Sequence, residues 1–95
     1  MNNTDYNKQL IIAAENGDME TVKNCIAQGA EVNFMGPNSA ALHCAVFEEH
    51  HEIVQLLLES GANSNLVDNQ GFVPIQLAAS KDNAPICKLL FEYGA

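Results

Sequence analysis

Ala41-Leu42-His43-Cys44-Ala45-Val46, followed by Ile53-Val54-Gln55-Leu56-Leu57-Leu58-Glu59-Ser60-Gly61-Ala62, is the stretch that decides the fold. A short apolar helix signal is paired with a longer one, and the pair ends on Gly-Ala. The same design lies upstream, where Leu10-Ile11-Ile12-Ala13-Ala14 leads to Gly29-Ala30, and downstream, where Ile75-Gln76-Leu77-Ala78-Ala79 leads to Gly94-Ala95. The leading residues Leu10, Leu42 and Ile75 are 32 and 33 residues apart, and so are Gly29, Gly61 and Gly94. Two independent markers holding one period define a repeat architecture.

Ninety-five residues allow one domain with a modest core. The 47% apolar content belongs to a folded chain. Twelve acidic residues against four basic ones leave a formal net charge of −8. That excludes nucleic acid and anionic membranes as natural partners, because both demand Lys and Arg. It suits a basic protein partner. Three cysteines, Cys25, Cys44 and Cys87, are an odd number without C-x-x-C spacing, which points to free thiols in a reducing compartment. The start carries no signal peptide pattern, and no apolar run approaches the ~20 residues that span a bilayer. An intracellular, cytoplasmic protein is expected.

Along the chain, Met1 to Thr4 reads as a frayed polar end and Asp5 to Glu15 as a helix, with Tyr6, Leu10, Ala13 and Ala14 at helical spacing. Gly17 breaks it, Asp18 caps the next helix, and Met19 to Gln28 follows. Gly36-Pro37-Asn38 marks a turn. Helices are predicted from Ala40 to Glu48 and from Glu52 to Ser60, with Glu49-His50-His51 between them as a solvated turn. In the third unit Ile75 to Ser80 is helical, Asp82 or Asn83 caps the second helix, and Ile86, Cys87, Leu89, Leu90 and Phe91 form its stripe. Each unit is a helical hairpin. Stacked side by side, the hairpins bury their stripes against one another. Small residues in the first helix (Ala13, Ala14, Ala45, Ala78, Ala79) permit close approach, and bulky ones in the second (Val54, Leu56, Leu57, Leu58) fill the layer behind.

These residues resemble the ankyrin repeat family, whose pattern runs Asp-x-x-Gly-x-Thr-Pro-Leu-His-x-Ala-Ala, a glycine, Val-x-x-Leu-Leu and Gly-Ala-x-x-Asn. The third unit matches at Asp68, Gly71, Pro74, Ile75, Ala78, Ala79, Leu89, Leu90, Gly94 and Ala95. The second matches at Leu42, His43, Ala45, Val54, Leu57, Leu58, Gly61, Ala62 and Asn65, and the first at Leu10, Ala13, Ala14, Gly17, Val22, Gly29, Ala30 and Asn33. The resemblance implies an all-α solenoid of stacked helix-turn-helix hairpins joined by β-hairpin-like turns. Its repeats span about 5–34, 35–67 and 68–95 of a single domain, 1–95, that belongs to a longer array or protein. There are departures. Ala40-Ala41 and Val73-Pro74 replace Thr-Pro, Glu49 and Asp82 replace the mid-hairpin glycine, and the first fingertip is one residue shorter. Asn24 stands where Leu56 and Leu89 stand later, which marks the first unit as an N-terminal cap.

His43, Cys44, His50 and His51 have metal-ligand chemistry. Two of them, however, are adjacent in one turn and do not converge as a zinc site requires. The resemblance makes His43 a structural histidine bonded to backbone. Cys25 and Cys87 fall on apolar stripes, and no phosphate loop or nucleophile–base pair is present. No catalysis, cofactor or metal is expected. Glu31-Val32-Asn33 has the acidic-Val-Asn form that is hydroxylated in some family members, although Asn33 is also the plain turn asparagine.

What the resemblance implies for function is protein–protein recognition through fingertip turns and the concave side of the first helices. On this chain those positions are Glu15, Asn16, Phe34, Pro37, Ser39, Phe47, Glu48, Val67, Asn69, Gln70, Phe72, Ser80 and Lys81. Phe34, Phe47 and Phe72 form a candidate aromatic anchor with an acidic rim of Glu15, Glu48 and Glu49. The partner it fits is basic with an apolar centre. Two alternatives stay open. The segment can regulate or target a larger enzyme or effector, or it can self-associate through Ile86, Leu89, Leu90, Phe91 and Tyr93.

Overall fold

A computed structural model describes residues 2–95. It contains six helices in chain order: α1 (Asn3–Asn16), α2 (Met19–Ala27), α3 (Ala41–Phe47), α4 (His51–Glu59), α5 (Pro74–Ser80) and α6 (Ala84–Glu92). Among the described residues there is no strand. The helices pair as three antiparallel hairpins stacked along an axis 37 Å long. The first helices form one row, α1–α3–α5, and the second helices another, α2–α4–α6; the first row packs more closely. Alanines explain the difference. Ala13, Ala14, Ala41, Ala45 and Ala78 are all buried in the first row, so backbones approach there.

Helices α3 and α5 have only seven residues each and would not persist alone. Their starts are held by a side chain reaching back one turn. His43 Nδ1 accepts from the Ala40 N–H at 3.2 Å, and Gln76 Oε1 accepts from the Val73 N–H at 2.9 Å. Neither Ala40 nor Val73 has a polar side chain, so only this half of the reciprocal capping arrangement exists. Burial does the rest. Leu10, Leu42, Val54, Leu57, Ile86 and Leu90 form one continuous core across the three hairpins. Each large aliphatic side chain so buried contributes about 1.5–3 kcal/mol.

Several expectations are revised. Helix α1 begins at Asn3 rather than Asp5, because Asn2 Oδ1 accepts from the Asp5 N–H at 3.0 Å and caps it; Met1 lies outside the described residues. The mid-hairpin residues Gly17, Glu49 and Asp82 all take left-handed φ values of 75°, 61° and 56°. The two substitutions therefore keep the glycine's backbone conformation at the cost of strain. The fingertips are turns without a strand ladder. In the second, the Asp68 N–H donates to Phe72 O at 2.8 Å, and Asp68 Oδ1 accepts from the Gln70 and Phe72 N–H groups. The shorter first fingertip closes through the Gly36 N–H and Ser39 O at 3.0 Å. A Cβ on Gly36 would lie 3.0 Å from Ile11 Cδ1 and 3.3 Å from Ser39 O, so a larger residue there would press on both.

His50 is not a solvated turn residue. It is the N-cap of α4, half-buried, with its ring against Gly17 and Nε2 at 3.1 Å from Glu15 O. It thereby satisfies a carbonyl left open at the end of α1. His51 is already in α4 and is exposed. Three of the residues assigned to self-association, Ile86, Leu89 and Leu90, are buried in the core. They pack α6 inward and offer nothing to a second copy. Phe91, at 71% exposure, and Tyr93 remain on the surface.

Candidate partner-binding groove

An open concavity of about 290 Å³ runs along the first-helix row. Its floor is Cys44, Phe47 and Leu77, from α3 and α5. Glu15 and Glu48 stand at one side, and Asn38, Ser39, Asp68, Asn69 and Gln70 of the fingertips at the other. The floor is exposed for a reason of register. Phe47 follows Glu15 by 32 positions and precedes Ser80 by 33, so the repeat carries this aromatic only once. Its neighbours in the row are small or charged, and 45% of Phe47 stays open.

The fingertips are held together across hairpins. The Asn69 N–H donates to Asn38 O at 3.0 Å and its Nδ2 donates to Pro37 O at 3.3 Å. Behind the groove, His43 is buried, and its Nε2–H donates to Leu66 O at 2.7 Å. Since Nδ1 accepts from Ala40, the ring is the neutral Nε2–H tautomer. On the far edge of the stack Asn33 Nδ2 donates to Gly61 O and Asn65 Nδ2 donates to Gly94 O, both at 3.1 Å. These repeated bonds tie one hairpin to the next.

Cys25 and Cys44 are poor nucleophiles. Burial pushes Cys44 above the ordinary thiol range; its contact with Ser39 Oγ at 3.4 Å works against this, and the charges of Glu15 and Glu48 add smaller upward pushes. Burial also raises Cys25, whose side chain is enclosed. Among the described residues no three His, Cys, Asp or Glu side chains group as a metal site. No helix there is long and apolar enough to cross a membrane.

A family model described as ankyrin repeats (three copies) matches residues 10–95. The chain belongs to the ankyrin repeat family. Ankyrin repeats are generally protein–protein interaction modules. The chain is 34% identical over 92 residues to human ankyrin repeat and SOCS box protein 16, covering 97% of this chain and 20% of that protein. It is 33% identical over 89 residues to the mouse RelA-associated inhibitor, 90% of this chain and 11% of that one. It is 43% identical over 68 residues to human palmitoyltransferase ZDHHC13, 70% of this chain and 11% of that one. The chain thus spans a fifth or less of the relatives it matches.

Of the ankyrin-type surface positions expected from sequence, Glu15, Ser39, Phe47, Glu48, Asn69 and Gln70 line the groove. The others do not. Asn16 shares the register of Glu48 and Lys81 but lies outside this lining, in a separate depression with Ile12 and Thr21. Pro37 presents its carbonyl to Asn69, and Ser80 donates to Leu77 O at 2.7 Å. Lys81 lies beside the groove, its Nζ 4.1 Å from the centre of the Phe47 ring. The three-phenylalanine anchor is not assembled: Phe34 is half-buried and Phe72 is exposed outside the groove lining. Asn38, His43, Cys44, Asp68 and Leu77 belong to the lining without having been singled out for it. For Cys44 and Leu77 the signal was available. They share one register with Ile12, on the same helix face as the expected contact positions.

Proposed function

We propose that this ankyrin repeat segment binds another protein through its concave groove, with Phe47 as the apolar anchor and Glu15, Glu48, Asn69 and Gln70 around it. The observation that carries the reading is the 45% exposure of Phe47 on the floor of a concavity whose walls come from three hairpins. Aromatic side chains that become buried at an interface are among those that carry most of its binding energy. The open, shallow shape suits an extended segment or a loop of a partner. The family's general role supports the same reading.

A second reading sits beside it. The chain aligns with only 11% of palmitoyltransferase ZDHHC13 and 20% of ankyrin repeat and SOCS box protein 16. It can therefore be the targeting or regulatory portion of a longer array or a larger protein, and the groove would serve it equally.

The test is affinity capture from cell lysate with three baits: the natural chain, Phe47→Ala, and Gln55→Ala/Glu59→Ala on α4. Circular dichroism establishes that all three fold. A partner held by the first and third and lost by the second supports the concave groove. A partner lost only by the third overturns it.

A further inference from the structure

We propose that Phe47, Glu15 and Glu48 form a seat for one cationic side chain, arginine or lysine, within an otherwise apolar partner segment, and that Lys81 is the resident cation this side chain replaces. The inference rests on the concave groove being the binding surface and names the chemistry that fills it.

Three observations converge. The groove lining holds the carboxylates of Glu15, Glu48 and Asp68 and no lysine or arginine. Asp68 already accepts two backbone N–H groups at 2.9 Å. The carboxylates of Glu15 and Glu48 are held by no hydrogen bond or ion pair among the described residues, and both are exposed. Their charges nonetheless reach the same point, since both act on the Cys44 thiol on the groove floor. Two unspent negative charges therefore face one apolar floor.

The second observation is that a cation already sits there. Lys81, the residue that ends α5, turns back across the hairpin boundary and places its Nζ 4.1 Å from the centre of the Phe47 ring. The ring face attracts the ammonium through its quadrupole. The side chain is long, exposed and otherwise unconstrained, so it leaves readily when a better cation arrives. Arginine is the better cation, because its planar guanidinium stacks on an aromatic face and keeps N–H groups for the carboxylates.

The third observation is the shape of the apolar part. Phe47, Cys44 and Leu77 supply apolar surface within the same lining, against which aliphatic residues flanking the cation can pack. The partner chemistry that follows is a short segment alternating apolar residues with a single Arg or Lys, not a polybasic run. A polybasic run would meet the uncharged fingertip amides Asn38, Asn69 and Gln70 and one carboxylate, Asp68, whose Oδ1 already accepts two backbone N–H groups.

The probe is a set of three peptides, Ac-Leu-Arg-Leu-NH2, Ac-Leu-Gln-Leu-NH2 and Ac-Leu-Glu-Leu-NH2, titrated into the isotopically labelled chain and read by amide chemical-shift changes. The Arg peptide is expected to shift Cys44, Phe47, Glu48 and Lys81 and to bind about three- to tenfold tighter than the Gln peptide. That advantage is expected to vanish in Glu15→Gln/Glu48→Gln and in Phe47→Leu, and to survive in Glu20→Gln/Glu59→Gln, which removes the same charge from α2 and α4. Lys81→Met is expected to raise the Arg peptide's affinity several-fold, and Lys88→Met to leave it unchanged. Equal affinity of the Arg and Gln peptides, both shifting the groove, overturns the cation seat and leaves the groove reading standing. Loss of the Arg advantage in Glu20→Gln/Glu59→Gln reduces it to general charge attraction and overturns it. No groove shift with any peptide at several millimolar overturns both.

Discussion

Replacing His43 by alanine tests the inner framework of the groove. The ring is 1% exposed and spans two backbone groups: the N–H of Ala40, itself buried, and the carbonyl of Leu66, in the segment leading to the third hairpin. Alanine removes both bonds and leaves a cavity. A buried donor left unpaired costs about 1–3 kcal/mol, and the Leu66 carbonyl, half-buried, adds a smaller amount because water reaches it. The expected loss is roughly 2–4 kcal/mol, a large part of the roughly 5–14 kcal/mol typical of this chain length. Gln76 provides a control within the same molecule. It occupies the same register in the third hairpin but makes only the bond to the Val73 N–H, at an exposed position. Gln76→Ala should cost about 0.5–1 kcal/mol. The assay is urea unfolding followed by circular dichroism, with unchanged slope and a shifted midpoint. For a slope near 2 kcal/mol per molar, His43→Ala moves the midpoint by about 1–2 M and Gln76→Ala by less than about 0.5 M. Equal shifts for the two, or a shift below about 0.3 M for His43→Ala, would refute the reasoning that the imidazole joins the hairpins.

Other expectations follow from the turns and thiols. Gly17→Ala combines a left-handed φ of 75° with a Cβ only 2.8 Å from His50 Cε1, so it should destabilise by about 1–2 kcal/mol in the same urea assay, whereas Asp82→Gly relieves strain at φ 56° and should cost nothing or stabilise slightly. Asp18 caps α2 through Thr21, whose side-chain hydroxyl and backbone N–H hold its carboxyl below the ordinary value of 3.8. A depressed carboxyl stabilises fully above its unfolded value and loses that effect as pH falls through the folded one. The stability gap between the natural chain and Asp18→Asn should therefore narrow below about pH 4, as read by urea midpoints across pH. In a Cys87→Ser background, Cys44 should react slowly with a thiol reagent at neutral pH and faster in Glu15→Gln/Glu48→Gln, because two of the influences raising its thiol are removed; enclosed Cys25 should react only through unfolding.

Much of this architecture was legible from spacing alone. The period of 32 and 33 residues, the alanines of the first helices and the Asp18 cap describe the hairpins, and these reappear in the structure with ends shifted by a residue or two; of the two candidate caps Asp82 and Asn83, the structure uses Asn83. Local periodicity could not say what covers a stripe. Ile86, Leu89 and Leu90 read as a surface for another copy because only the stacked second hairpin shows them enclosed. His50 was misread for the same reason. Its site exists because Gly17, in the preceding hairpin, has no Cβ, and the register Asp18–His50–Asn83 places the imidazole beside it. Sequence favours Phe47 and Phe72 over Phe34 as anchors, and of the three only Phe47 lines the groove. Lys81 over that ring depends on a side chain crossing between hairpins, which no one-dimensional pattern carries.

The most direct measurement of the central claim is site-specific photo-cross-linking. Phe47 in the groove and Gln55 on α4 are each replaced by p-benzoylphenylalanine, and each chain is irradiated in cell lysate. A discrete cross-linked partner from position 47, absent from position 55, is the predicted result. Cross-links from position 55 and none from position 47 would place binding on the outer helices and contradict the account.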